Sequence, residues 1–170
     1  MKTKCFSSVL LACALMLAGC AQIWGQRAVA GVVIESPAEQ VCTEDGRPCR
    51  VLVHVTATEG GQCEVTLPGL LKVAGTGADR EINWILVNDS QDYTFAFKKL
   101  KIVNNVGKDP AFPEFVRIGI SPNQQLIHAF DRRTVIGRSY QYTIELDMTR
   151  SGGAGTPVSC GFDPGIHNLG

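Results

Sequence analysis

The chain has 170 residues, its 16 lysine and arginine residues are balanced by 16 aspartate and glutamate residues, and 45% of its residues are hydrophobic. This length suits a single domain that can bury a core of its own. Because no basic patch stands out, the composition argues against nucleic-acid binding and against electrostatic docking to anionic lipid as the main function.

The first residues follow the plan of an export signal. Lys2 and Lys4 precede a mostly apolar run over residues 9–17, and small residues come after it. Because a transmembrane helix needs about 20 apolar residues, this run is too short to span a bilayer. A tetrapeptide that resembles a bacterial lipobox follows the run directly: Leu17-Ala18-Gly19-Cys20.

In a lipobox the cysteine is acylated and becomes the new N-terminus, and several acyl chains anchor a protein firmly without crossing the membrane. An aspartate after that cysteine favours the inner membrane, whereas Ala21 stands here. We therefore expect acyl groups such as palmitate on Cys20 and an anchor at the outer membrane, on its periplasmic or surface face. The predicted divisions are a signal peptide at 1–19, a lipid-anchored tether at 20–28 and a folded domain at 29–170.

Four cysteines lie beyond the lipobox, and they form an even set: Cys42, Cys49, Cys63 and Cys160. In an exported chain such a set predicts disulfides, for which three connectivities are possible. The turn signal Asp45-Gly46 favours a bond between the first two cysteines, and the last two then pair by elimination. A zinc site is disfavoured, because the gap of six residues between the first two is too wide and no histidine follows at finger spacing.

The periodicity of the apolar residues is two, which is typical of β-strands. The clearest alternation covers residues 139–148, with an apolar face of Tyr, Ile, Leu and Met. About eight or nine such segments, separated by turn signals, predict an all-β fold, an antiparallel β-sandwich. The other strand candidates lie at 28–35, 50–57, 63–67, 81–88, 93–103, 115–121 and 125–130. The predicted core includes Val53, Trp84, Leu86, Phe95, Phe97, Ile118, Tyr142 and Ile144.

Four segments resemble the DP-EP family, a group of small bacterial proteins: INWILVN, YTFAF, YQYTIELD and the closing CGFDPGIHN. The family pattern ends in Asp-Pro-x-Ile-x-Asn, which is matched by Asp163, Pro164, Ile166 and Asn168. The resemblance covers about residues 29 to 168 and implies an Ig-like or cupredoxin-like sandwich with no known activity. The residues Asp163-Pro164-Gly165 themselves predict a turn into a final edge strand.

A sandwich that ends in Cys160 and His167 raises an alternative function, a periplasmic cupredoxin-like metal or redox protein. Blue-copper sites use two histidines and one cysteine with a weak axial ligand. Here six residues separate Cys160 from His167, no Met or Gln follows the histidine, and a disulfide would consume the thiolate. We therefore expect no metal and no cofactor.

Catalytic motifs of hydrolases, metalloproteases and nucleotide-binding enzymes do not occur in the sequence. Glu145 and Asp147 share one face of a strand but lie opposite its apolar side, which predicts a solvated face. The run Asp131-Arg132-Arg133 predicts a charged turn. The sequence thus favours a non-enzymatic lipoprotein that binds the membrane through its lipid and an envelope protein as a possible partner, although a site assembled from distant loops stays open.

Overall fold

A computed structural model describes residues 32–43, 47–58, 60–75, 79–104, 114–153 and 157–169, with the side chains of 32–37 and 104 left out. The predicted signal peptide, Cys20 and the tether at 20–28 lie outside these residues, as does the first half of the strand predicted at 28–35.

The described residues contain ten β-strands and no helix, so the all-β prediction is confirmed. Their alternating patterns of buried and outward side chains follow the period of two in the sequence. The strands are β1 Val32–Cys42, β2 Cys49–Ala57, β3 Cys63–Val73, β4 Arg80–Asn88, β5 Tyr93–Asn104, β6 Phe115–Ile120, β7 Leu126–Asp131, β8 Ser139–Arg150, β9 Val158–Phe162 and β10 Gly165–Asn168.

The strands form one sheet in the order β5-β8-β10-β3-β2-β4-β7-β6, with β1 added to β3 and β9 to β8. The two ends of this sheet approach each other, because the backbone N–H of Phe97 in β5 donates to the carbonyl of Gln124, in the turn between β6 and β7, at 2.8 Å. The result is a sheet nearly closed into a barrel rather than two clearly separate layers.

The prediction that all strands pair antiparallel is wrong at three places. Strand β3 pairs in parallel with both β1 and β10, and β2 pairs in parallel with β4. Side chains alternate with a period of two in either kind of pair, so the alternation used for the prediction carries no information about strand direction. The strand count is also one or two higher than expected, because the C-terminal segment divides into β9 and β10.

The core lies inside the sheet and is centred on Trp84, whose ring packs 5.3 Å from that of Tyr142. Seven of the eight predicted core residues are buried. Ile118 is the exception, with 44% of its surface exposed. A bulge between Val116 and Gly119, with Arg117 at φ 51°, shifts the alternation of β6 and turns Ile118 outward.

Strand β10 is an interior strand, which corrects the prediction of a final edge strand. It lies between β8 on one side and β3 on the other. The preceding turn holds Pro164, whose carbonyl accepts the N–H of Tyr142 at 3.0 Å. As a consequence, residues 165–168 place Asn168 in the protein interior.

Candidate functional site

Both predicted disulfides form. Cys42 bonds Cys49, with Cα atoms 5.4 Å apart. Cys63 bonds Cys160 over a sequence separation of 97 residues, with Cα atoms 6.2 Å apart. The second bond joins the start of β3 to β9 and is buried at both ends.

The structure does not assemble the alternative metal site. Cys160 has no thiolate to offer, because its sulfur is bonded to Cys63. His167 lies in β10 with its Nδ1 atom 2.7 Å from the hydroxyl oxygen of Ser139. Within the described ranges, no three His, Cys, Asp or Glu side chains come together in a group that could hold a metal ion.

The carboxylates of β8 point outward, as the sequence predicts for a solvated face. Asp147 pairs with Lys98 at 3.1 Å, and Glu145 lies 3.8 Å from Lys99. Asp147 also accepts the hydroxyl of Ser159 at 3.0 Å. Both carboxylates therefore take part in surface ion pairs between neighbouring strands.

A buried pair of carboxyl groups is the most unusual chemistry in the described part of the chain. Asp131 is the last residue of β7 and is fully buried, so the predicted charged turn at Asp131-Arg132-Arg133 is wrong for its first residue. Glu114 directly precedes β6 and is 5% exposed. The side-chain amide of Asn168, at the end of β10, donates to both carboxyl groups at 3.3 Å.

Glu114 holds the loop that follows β7. Its Oε1 atom accepts the backbone N–H of Thr134 at 2.7 Å and of Val135 at 3.4 Å, and its Oε2 atom accepts the hydroxyl of Thr134. Its backbone carbonyl accepts the N–H of Arg132 at 2.8 Å. One side chain thus ties the start of β6 to the loop at 132–135, and Asn168 connects both to β10.

Burial raises the pKa of Asp131 to about 7, and the negative charge of Glu114 adds to the rise, although the N–H of Arg133 opposes it by donating to Oδ1 at 2.9 Å. The other oxygen, Oδ2, is buried and accepts no hydrogen bond from the described groups. Burial also raises the pKa of the neighbouring Tyr140 to about 12. Asp131 therefore holds a proton up to near-neutral pH.

Neighbouring carboxyl groups, one of which has a raised pKa, are familiar from acid–base catalysis. Here both groups are buried and bonded to loop and strand ends, so they contact protein rather than solvent. This environment favours a structural role, in which the pair fixes one end of the barrel.

Asn168→Ala is expected to lower the free energy of unfolding by about 2 to 3 kcal/mol, because both buried carboxyl groups lose a donor. Urea unfolding at neutral pH measures the loss. The control is Gln141→Ala in the neighbouring strand β8, where the side chain is exposed and the loss should stay within about 0.5 kcal/mol. Equal losses in the two variants would contradict the bridging role of Asn168.

No family model and no curated protein matches the chain. The resemblance to the DP-EP family therefore stays an expectation from the sequence. Among the described residues, no helix is long and apolar enough to cross a membrane.

The second candidate site is a surface groove of about 360 Å³ between β1, β2 and β3. Its volume falls within the range of pockets that bind small ligands or single side chains. The groove begins where the ladder between β2 and β3 ends, after the pair His54–Thr66. Its lining consists of Gln40, Arg50, Leu52, His54, Thr66, Leu67 and Pro68.

Pro68 explains why the ladder ends there. In the continued register of β2 and β3, Pro68 stands opposite Leu52. Proline has no N–H, so β3 cannot donate a hydrogen bond to the carbonyl of Leu52, and the two strands separate. A signal for this feature is visible in the sequence, since the predicted strand at 63–67 stops directly before this proline, whereas β3 continues to Val73.

Proposed function

We propose that this chain is a cell-envelope lipoprotein, anchored at the outer membrane through acyl groups on Cys20, whose β-domain serves as a non-enzymatic binding or structural module. The observation that carries the proposal is the pairing of the cysteines. All four cysteines beyond Cys20 are consumed in two disulfides, which form and persist in oxidising compartments outside the cytosol. Pairing of this kind supports export, the first step that a lipobox requires.

The absence of catalytic motifs in the sequence supports a role in binding rather than in catalysis. An Ig-like or cupredoxin-like relationship, and membership of the DP-EP family, belong to the proposal and rest on the short sequence segments alone. The partner would be another envelope component, since an acylated protein is confined to the surface of its membrane.

Intact mass tests the anchor. Protein from membranes of the native host is measured before and after reduction and thiol alkylation. We expect the mass of residues 20–170 plus acyl groups, and four cysteines that react only after reduction. Cys20→Ala should abolish the acyl mass and move the protein out of the membrane fraction.

The matched control is Cys13→Ala, which changes a cysteine inside the predicted signal peptide and should leave the final mass and the membrane fraction unchanged. An unlipidated mass for the unaltered chain would overturn the anchor. Alkylation of Cys63 or Cys160 without reduction would remove the main support for the proposal.

A further inference from the structure

The backbone groups that face the groove can be assigned from two hydrogen bonds. The N–H of Asp89 donates to the carbonyl of Val55 at 2.9 Å, so Val55 directs its backbone groups towards the β4 side of β2. The side-chain amide of Gln40 donates to the carbonyl of Arg50 at 2.6 Å, so Arg50 faces the opposite side. Because backbone groups alternate between the two edges of a strand, Leu52 also faces the groove.

Leu52 therefore presents two features to the groove. Its carbonyl points towards β3, which has Pro68 and no N–H at the opposite position. Its side chain lies on the outward face of β2 and is 47% exposed. A bound segment could supply the missing donor and cover the leucine at the same time.

The charges around the groove favour an acidic occupant. Arg50 lines the groove, is exposed, and makes no ion pair with another described residue. Two described carboxylates beside lining residues already have partners: Glu39, next to Gln40 in the chain, pairs with Lys72, and Asp89 lies 2.9 Å from Nδ1 of His54. The described lining itself contains no Asp or Glu.

We propose that this groove, which we call the Pro68 groove, binds an extended acidic segment of a partner protein. The segment donates a backbone N–H to the carbonyl of Leu52, covers the Leu52 side chain, and pairs a carboxylate with Arg50. Such strand-like binding gives affinity through backbone hydrogen bonds and specificity through side chains. The location of the partner in the envelope rests on the proposed function, whereas the binding itself does not.

The probes are blocked synthetic peptides of alternating valine and threonine, about seven residues long, which span roughly 20 Å when extended. One carries a central glutamate, the second carries glutamine there, and the third keeps the glutamate but has an N-methyl group on the central amide. Fluorescence anisotropy of the labelled peptides with the purified full-length protein in detergent measures their affinity. We expect the glutamate peptide to bind about tenfold more tightly than either of the others, because the glutamine peptide loses the ion pair with Arg50 and the N-methyl peptide loses the hydrogen bond to the carbonyl of Leu52.

Arg50→Gln should make the glutamate and glutamine peptides bind equally, which identifies the partner of the carboxylate by a double-mutant cycle. Arg132→Gln changes an exposed arginine beyond the groove lining and should leave the tenfold difference intact. Pro68→Thr restores an N–H opposite Leu52. We expect β2 and β3 to pair further along their length in this variant, which should weaken binding of the glutamate peptide.

Equal binding of the three peptides to the unaltered protein would overturn the proposal, as would unchanged discrimination in Arg50→Gln. Absence of binding at about 1 mM peptide, which corresponds to roughly 4 kcal/mol of binding free energy, would overturn it as well. A loss of acylation in the mass experiment leaves this result untouched, because the peptides bind the folded domain and not the lipid. Failure of one proposal is therefore distinguishable from failure of the other.

Discussion

The double variant Cys63→Ala/Cys160→Ala is expected to lose about 4.7 kcal/mol of unfolding free energy, the larger of the two disulfide effects. The bond closes a separation of 97 residues, and the entropy that a cross-link removes from the unfolded chain increases with the length of the closed loop. The same estimate for Cys42→Ala/Cys49→Ala, which opens a separation of 7 residues, is about 2.5 kcal/mol.

Denaturant unfolding followed by far-ultraviolet circular dichroism compares the two double variants with the unaltered protein. The shorter loop serves as the control, because both variants replace two buried cysteines by alanine and differ mainly in the loop that they open. If the two losses were equal, loop entropy would not be the source of the stabilisation, and local packing around the sulfur atoms would have to account for both.

The second large effect concerns pH, and we expect Asp131→Asn to remove a loss of stability that the unaltered protein shows between about pH 4 and pH 7. The pKa of Asp131 is raised in the folded protein to about 7, from an ordinary value near 4. The folded state therefore holds a proton that the unfolded state releases. Its contribution to stability is complete below about pH 4 and is lost as the pH rises through 7.

The charged and titratable groups around Asp131 fit this expectation. Glu114 adds a negative charge, which makes a second charge on the aspartate unfavourable, and the neighbouring Tyr140 stays a neutral phenol because its pKa is raised. Arg80 is the register partner of Asp131 in β4, Arg133 donates its backbone N–H to the carboxyl group, and Arg138 lies near Tyr140. Arg80 and Arg133 direct side-chain N–H groups to the carbonyls of Thr43 and Ala74, respectively.

Asparagine resembles the protonated acid, because its oxygen can accept the bonds from Arg133 and Asn168 while its amide replaces the buried oxygen that has no donor. The measurement is urea unfolding of both proteins from pH 4.5 to pH 8.5. As the pH rises, the free energy of unfolding of the variant should increase relative to that of the unaltered protein. The increase should be on the order of a few kcal/mol at the top of the range.

Glu114→Gln is the matched control for this titration. Glutamine keeps one acceptor for the loop N–H groups but cannot accept the hydroxyl of Thr134 on its amide nitrogen. The variant should therefore be less stable at low pH, unlike Asp131→Asn. A stability difference between Asp131→Asn and the unaltered protein that stays constant across the pH range would show that Asp131 is not the group that titrates.

The strands and the disulfides could be predicted well from the sequence, for physical reasons that are local. Alternation of apolar residues at 139–148 reflects the two faces of a strand, and the turn signal Asp45-Gly46 predicts that the cysteines on either side of it meet. The parallel partners of β3 could not be predicted, because the pairing of distant strands depends on how all ten fit together and leaves no mark on the alternation itself.

The candidate sites could likewise be predicted only where their signal is local in the sequence. Asp131 continues the buried alternation of Ile127 and Ala129 in β7, so the period of two contained a signal that it lies inside. Glu114 precedes its strand without any such pattern, and its contact with Asn168 joins residues 54 positions apart. The groove depends on Pro68, which was visible in the sequence, and on the position of β1 beside it, which was not.

The place of β10 has a consequence for how an exported chain would assemble. The four residues of β10 lie between β8 and β3, and without them the strand order falls into two separate groups. They are also the last of the ten strands to leave any channel through which the chain is threaded from its N-terminus. In an exported chain the two groups would therefore join through β10 only after almost all ten strands have emerged, and the long Cys63–Cys160 bond, whose second cysteine lies in β9, would also form late.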